Sequence, residues 1–383
     1  LHDKKHACLV LDFIGQHRRE FRYDTVFSAL TGVAKAELRR AVETDFPRLP
    51  SGCVVQLDPI ARERVLESLR RQANRGKQMI AEVRELAQRE GRTVGLRRYL
   101  DATGRELADV YRTDSSWSAL MRAADLLPPL PEGAEDPSLL FSRLLHVDEP
   151  ARLRAWRDAI GGRTAIDAMR LTMLGVELQE RGIVRAADDV AQYLCVDQHV
   201  AHDLDELAAL LHDRIGLANE IYPQPNWQLA LHRHYSRREI ITAVGFIKPG
   251  EKTSTPQGGI LMMKNTMGTG GDELLFVTLD KSAKSFTATT SYRDYAISPT
   301  LFHWETQGAA AVHRPSGRRY LDSPTNGWRF HLFVRSHTDA RYAYLGPVEL
   351  ASYEGSRPIA ITWKLATPMP ASLFDRFASL AQG

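Results

Sequence analysis

The feature that most limits the fold is an abrupt change of texture at the segment Y-P-Q-P-N-W, residues 222–227. Before it, apolar residues recur at helical spacing between proline and glycine breaks. Beyond it lie short apolar runs at 258–264, 273–279, 285–289, 300–305, 329–334, 342–346 and 358–364, parted by turns rich in Gly, Pro, Ser and Asn. Short helices are predicted at 236–244 and 371–380. Many short strands so closely spaced imply a closed or half-closed barrel. The expected fold class is therefore α+β and multidomain, mostly helical over the N-terminal two thirds, with a mixed β-barrel-like domain at 230–383.

The helical part divides further. Residues 7–14 form a near-continuous apolar run ended by Gly15, as in a strand buried on both faces. Helical spacing follows at 25–46 and stops at Pro47 and Pro50, a short strand is predicted at 53–57, and Asp58 with Pro59 opens a helix to about 74. Further helices are predicted at 77–90, 94–101, 104–112 and 115–124. The three within 93–124 are compatible with a helix-turn-helix, although Trp117 suits a core better than a DNA groove. A proline-rich break at 126–137 then separates a basic helical domain, 26–126, from an acidic one, 127–229, read as a spacer or docking scaffold.

Charge follows the same division. Lys and Arg against Asp and Glu number 23 and 18 over residues 1–125, 9 and 17 over 126–229, and 18 and 12 over 230–383. Two basic segments flank an acidic one, which suits contact with a polyanion and also suits many ordinary surfaces. No apolar run is long enough to span a bilayer, so no membrane partner is expected. Cys8, Cys53 and Cys195 are odd in number and form no Cys-x-x-Cys pair, which points to a reducing cytoplasm without structural zinc. His199, His202 and His212 read as helix-surface histidines rather than metal ligands. The chain opens on a strand-like segment without Met, as a piece of something longer does.

Chemistry concentrates in Y-R-D-Y-A-I-S-P-T-L-F-H-W-E-T-Q, residues 292–307. Rings beside a cation and hydrogen-bonding groups are what a protein uses to hold a splayed or modified base, and they are also what a barrel core contains. Strand alternation sends Phe302 and Trp304 to one face and His303 to the other, so the first pair is assigned to the core and His303 to a ligand. The candidate DNA-binding set is Arg237, Arg238, Lys281, Lys284 and Arg293 for phosphates, Tyr292 and Tyr295 for stacking, and His303 and Gln307 for base edges. No catalytic or metal-ligating residue is assigned. G-F-I-K-P-G-E-K-T at 245–253 fails as a phosphate loop because Glu251 separates Gly250 from Lys252. M-G-T-G-G at 267–271 lacks the strand and helix of a dinucleotide fingerprint. Asp294, Glu305 and nearby lysines are a weaker nuclease alternative.

Two stretches carry a resemblance. L-V-L-D-F-I-G-Q-H-R-R-E-F-R-Y-D, residues 9–24, resembles the end of the second RecA-like lobe in superfamily II DEAD/DEAH-type helicases, which makes 1–25 a remnant of that lobe. L-F-V-T-L-D-K-S-A-K-S-F at 275–286, the run at 292–307, G-R-R-Y-L at 317–321 and the segment 344–365 resemble the C-terminal domain of unknown function on a subset of these bacterial helicases. The resemblance implies an accessory region attached to a DNA motor, in restriction or phage defence, whose partners are DNA, the upstream helicase core and a nuclease domain or subunit. It implies no cofactor for this chain, because ATP and Mg belong to the helicase core. Two readings stay open: a module that binds DNA and reads a modified or flipped nucleotide, and a protein-interaction scaffold linking motor to nuclease.

Overall fold

The computed structural model describes residues 75–379 except 92–93, 113–114, 163–166, 180–181, 216–219, 253–255, 257, 281–293, 307–309 and 324, together with 31, 41–42, 46, 62–63 and 65–66. The chain separates into two compact units, Leu1–Gln78 with Gly383, and Met79–Gln382. The architecture below is that of the second unit. The predicted strand at 7–14 and the lobe remnant at 1–25 lie outside the described residues, as does the strand predicted at 285–289.

Its helical part runs α1 (Arg75–Glu90), α2 (Leu96–Thr103), α3 (Leu107–Val110), α4 (Trp117–Ala123), a 3-10 turn at Pro137–Leu144, then α5 (Pro150–Ile160), α6 (Ala168–Glu177), α7 (Ala187–Leu194) and α8 (Gln198–Asp213). α8 forms where Val200, Leu204, Leu207, Ala208 and Leu211 repeat at helical spacing, and all five are buried. Asp197 starts it by accepting from the backbone N–H groups of His199 and Val200. One apolar core extends from Met79 to Leu211, drawing on helices from both sides of the break at 126–137. α8 packs against α5 and also reaches α2 and α4, so basic and acidic segments share that core.

α2 has no side-chain cap from its own N-cap, Gly95. Glu206 of α8 supplies it instead, accepting from the Leu96 N–H at 3.0 Å. A Cβ on Gly95 would stand 2.7 Å from that carboxylate, so the glycine makes room for a cap delivered from 110 residues away. In the middle of the apolar stripe Asp203 is buried, accepting from the Tyr111 hydroxyl and, at 2.8 Å, from the Ser118 N–H. Burial pushes its carboxyl up to about 6, with those two donors working against the rise.

The remainder is β1 (His234–Tyr235), α9 (Arg237–Ala243), β2 (Ile260–Lys264), β3 (Gly271–Thr278), β4 (Tyr295–Ser298), β5 (Leu301–Glu305), α10 (Pro315–Leu321), β6 (Trp328–Arg335), β7 (Tyr342–Glu354), β8 (Ala360–Leu365) and α11 (Ala371–Ser379). The strands make one mixed eight-stranded sheet of order β2-β3-β6-β7-β8-β5-β4, with β1 added to β7; β3 and β6 are parallel. This corrects the expected barrel, since β2 and β4 are the open edges and do not pair. Helices explain why closure is not needed. Leu274, Phe276 and Phe333 face a core shared with α9 and with Met173 and Val176 of α6. Leu275, Phe330, Leu332, Phe302, Trp304 and Trp363 face the other side, packed with Tyr320 of α10 and Leu373 and Phe377 of α11. Apolar positions on both sides of β3 and β6 are thus covered without the sheet curling onto itself.

Buried ions tie the helical part to the sheet part. Glu239 on α9 is fully buried, forms an ion pair with Arg152 of α5, and accepts from His146 Nε2 at 2.8 Å and from the Ser236 N–H at 2.7 Å. Burial alone would raise the Glu239 carboxyl, but Arg152 first and His146 second outweigh it and hold the group at about 2. Glu149, also buried, accepts from Tyr235 at 2.6 Å, from Tyr222 at 3.0 Å and from Arg170 at 2.9 Å. No acid in this network lacks its donors, which is the condition for tolerating charge in an interior.

Candidate functional site

The half of the sheet formed by β7, β8, β5 and β4 presents two different faces. In one direction Trp304, Trp363 and Tyr320 pack together, Trp304 edge-on to Tyr320 at 5.3 Å, and Phe302 is buried beside them. In the other, the strand registers align Ser352, Thr362, His303 and Tyr295 in a row across all four strands. His303 and Tyr295 lie flat on each other, centroids 4.6 Å apart with 11° between the planes. Both are partly exposed, as is Thr362, and Ser352 is exposed. The neighbouring row is Glu349, Lys364, Leu301 and Ser298, of which Glu349 and Lys364 are exposed.

β4 begins this arrangement with help from Asp294, whose carboxylate accepts from the Glu305 N–H at 3.0 Å. That contact pins the start of the edge strand to its neighbour and commits one oxygen of the residue proposed for nuclease chemistry. Among the described residues no three His, Cys, Asp or Glu side chains converge as a metal site. His202 is exposed on α8 with Glu206 at 3.7 Å, and His199 and His212 lie on the same helix.

Of the sequence-derived set, the structure brings together Tyr295 and His303. Lys281, Lys284, Tyr292, Arg293 and Gln307 lie outside the described residues. Arg237 and Arg238 are elsewhere and partly buried. The Arg237 guanidinium sits 4.0 Å over the Phe276 ring of β3, and burial lowers its pKa from the ordinary value. Arg238 donates to the Gln179 carbonyl at 2.7 Å, and burial likewise lowers its pKa. The sheet order puts β3 four strands from β5, about 19 Å at the usual ~4.8 Å spacing. These two cations serve the packing of α9 and α6 against the sheet, four strands away from His303.

Sequence reasoning missed Thr362, which register places opposite His303, and Ser352, which follows it in the same row. In the helix-turn-helix region the three short helices form, and Trp117 is buried with its ring 5.1 Å from that of Tyr99. The cations of α2 are engaged with acids, Arg97 with Asp213 and Arg98 with Glu90.

The fold is thus a mixed, open sheet packed by helices, with a row of polar and aromatic side chains along one face of β7, β8, β5 and β4. Among the described residues no helix is long and apolar enough to cross a membrane. Residues 229–377, which include every strand of this sheet, match the family model described as "Domain of unknown function (DUF3427)", so the chain carries that domain over this span. No curated protein matches the chain.

Proposed function

We propose that this chain is the accessory C-terminal region of a bacterial superfamily II DEAD/DEAH-type helicase and that its DUF3427 domain binds DNA, reading a modified or flipped nucleotide in restriction or phage defence. The observation that carries the reading is the Tyr295–His303 stack on a sheet face, flanked by hydroxyl groups of Thr362 and Ser352. An aromatic surface beside hydrogen-bonding side chains on adjacent strands is the arrangement by which sheet proteins hold unstacked bases. Glu305, Glu349 and Glu354 against Lys364 make the strands around this face poor in positive charge. The reading therefore gives the base to Tyr295 and His303, and the phosphates to Lys281, Lys284 and Arg293 in the segment leading into β4.

Fluorescence anisotropy of the full chain against single-stranded, duplex and base-modified DNA at two salt concentrations tests it. Salt-sensitive binding that falls on Tyr295→Ala or His303→Ala, by an amount matching roughly 1 to 3 kcal/mol per stacked base, supports the proposal. Absence of binding to every DNA at low salt refutes it and leaves the interaction scaffold in front.

A further inference from the structure

The two open edges of the sheet are not alike. β4 is four residues long, and its register with β5 shifts between Ala296 and Ser298, a bulge of the kind that blunts an edge against further pairing. β2 pairs with β3 in unbroken register over all five of its residues, from Ile260 with Leu275 to Lys264 with Gly271. It carries no proline, no bulge and no charge before its last residue, Lys264, which guards one end only. Met262 at its centre is 43% exposed, and Met267 in the turn to β3 is 79% exposed.

Backbone geometry fixes what the β2 edge can take. In an antiparallel pair, residues that exchange hydrogen bonds with the neighbouring strand alternate with residues whose N–H and C=O groups point the other way. The Phe276 N–H donates to the Gly259 carbonyl at 2.8 Å, and the Asn265 N–H to the Gly270 carbonyl at 2.8 Å. Gly259 and Asn265 thus face β3, and so do Leu261 and Met263 between them. Ile260, Met262 and Lys264 therefore direct their N–H and C=O groups outward, and among the described residues no strand pairs with that side. A row of donors and acceptors at this spacing is matched by the backbone of another strand.

We propose that the outer edge of β2 docks an extended segment of a partner protein, which joins the sheet as an added antiparallel strand. The partner residues opposite Lys264, Met262 and Ile260 fall on one face, because side chains alternate along a strand. An acidic residue suits Lys264 and apolar residues suit Met262 and Ile260, so the segment reads acidic-x-apolar-x-apolar. A second copy of this chain fits less well. Self-pairing about Met262 sets Lys264 opposite the copy's Ile260, with no charge to meet it. The five-residue edge is also about 17 Å long and about 10 Å thick, so two copies joined there would bury roughly a few hundred Å², against about 1,200 Å² for a stable interface. β2 lies at the opposite edge of the sheet from β4, and the proposal is independent of the reading given to Tyr295 and His303.

The probe is the end-capped, fluorophore-labelled peptide D-T-V-T-V, titrated with the full chain by anisotropy, with hydrogen exchange of the β2 amides as the second readout. Saturable binding that protects the N–H groups of Ile260, Met262 and Lys264 is expected. N-methylation of the first valine, whose N–H would face β2, should weaken binding at least about tenfold. N-methylation of the second threonine, whose N–H would face solvent, should change it less than about twofold. Lys264→Glu, checked for an unchanged urea midpoint, should weaken D-T-V-T-V about fivefold and tighten binding of K-T-V-T-V. No saturable binding at millimolar peptide, equal loss from the two N-methylated peptides, or an affinity for both peptides unmoved by Lys264→Glu overturns the proposal. A concentration-dependent dimer in sedimentation that Met262→Pro abolishes also overturns it, and gives the edge to a second copy.

Discussion

Replacing Glu239 by Gln removes one charge from the centre of the buried network while keeping the shape of the side chain. The carboxylate is fully buried and receives Arg152, His146 at 2.8 Å and the Ser236 N–H at 2.7 Å. Gln retains one oxygen acceptor but turns an amide toward donors, and it leaves Arg152, whose side chain is 1% exposed, without its closest counter-ion. Breaking a buried pair from one side costs about 3 to 5 kcal/mol. At about 2 °C per kcal/mol for a unit of this size, the melting temperature should fall by roughly 6 to 10 °C. Urea denaturation at pH 7 should show the midpoint moving down at constant slope. The pH dependence gives an independent check. The folded-state carboxyl is depressed to about 2 from its ordinary 4.5, so its stabilisation is complete above 4.5 and is lost as pH falls toward 2. Glu239→Gln should remove that part of the acid limb, and in an Arg152→Met background its cost should shrink. A loss under about 1 kcal/mol together with an unchanged acid limb would refute the assignment of this pair as the joint between α5 and α9.

Three further outcomes follow from individual contacts. Trp304→Ala should cost about 3 to 5 kcal/mol because its ring is packed against Trp363 and Tyr320, whereas His303→Ala on the opposite face should change stability by less than about 1 kcal/mol; paired urea titrations compare them directly. Asp203, raised to about 6 from an ordinary 3.8, binds its proton more tightly folded than unfolded, so the protein should gain stability from this group, up to about 3 kcal/mol, as pH falls from 6 to 4. Asp203→Asn should abolish that rise, and an identical pH profile in the variant would sink the prediction. Gly317→Ala should destabilise by about 1 to 3 kcal/mol, since the new Cβ would meet the Ala311 carbonyl oxygen at 2.0 Å; a melting temperature equal to the parent's would show that α10 has freedom to shift.

Much of the element order is written locally. Periodicity placed α9 and α11, and alternation placed β3, β5, β6 and β8 close to their observed bounds, because each is a short segment with one or two buried faces. The elements missed are those whose stability comes from neighbours. α10 contains Pro315 and Gly317, which argue against a helix locally, yet Gly317 is what lets it approach the Ala311 backbone. The second half of β7 is exposed and polar and is a strand because β8 pairs with it. β4 is a four-residue edge strand set by β5.

The candidate sites divide along the same line. Alternation alone puts Phe302 and Trp304 on one face and His303 on the other, since side chains in a strand must alternate. The alignment of Tyr295, His303, Thr362 and Ser352 in one row depends on register and strand order, which arise from pairings between distant segments. The clearest case is the buried network, where Glu239 meets Arg152 and His146, which precede it by 87 and 93 residues. Nothing in their local sequence joins them. Sequence by itself determined which segments become helix or strand and which way their side chains alternate, because those are properties of a few consecutive residues. Only the tertiary structure decided that the sheet stays open, that Arg237 and Arg238 turn inward, and which ionisable groups meet, because each depends on burial shared between elements far apart in the chain.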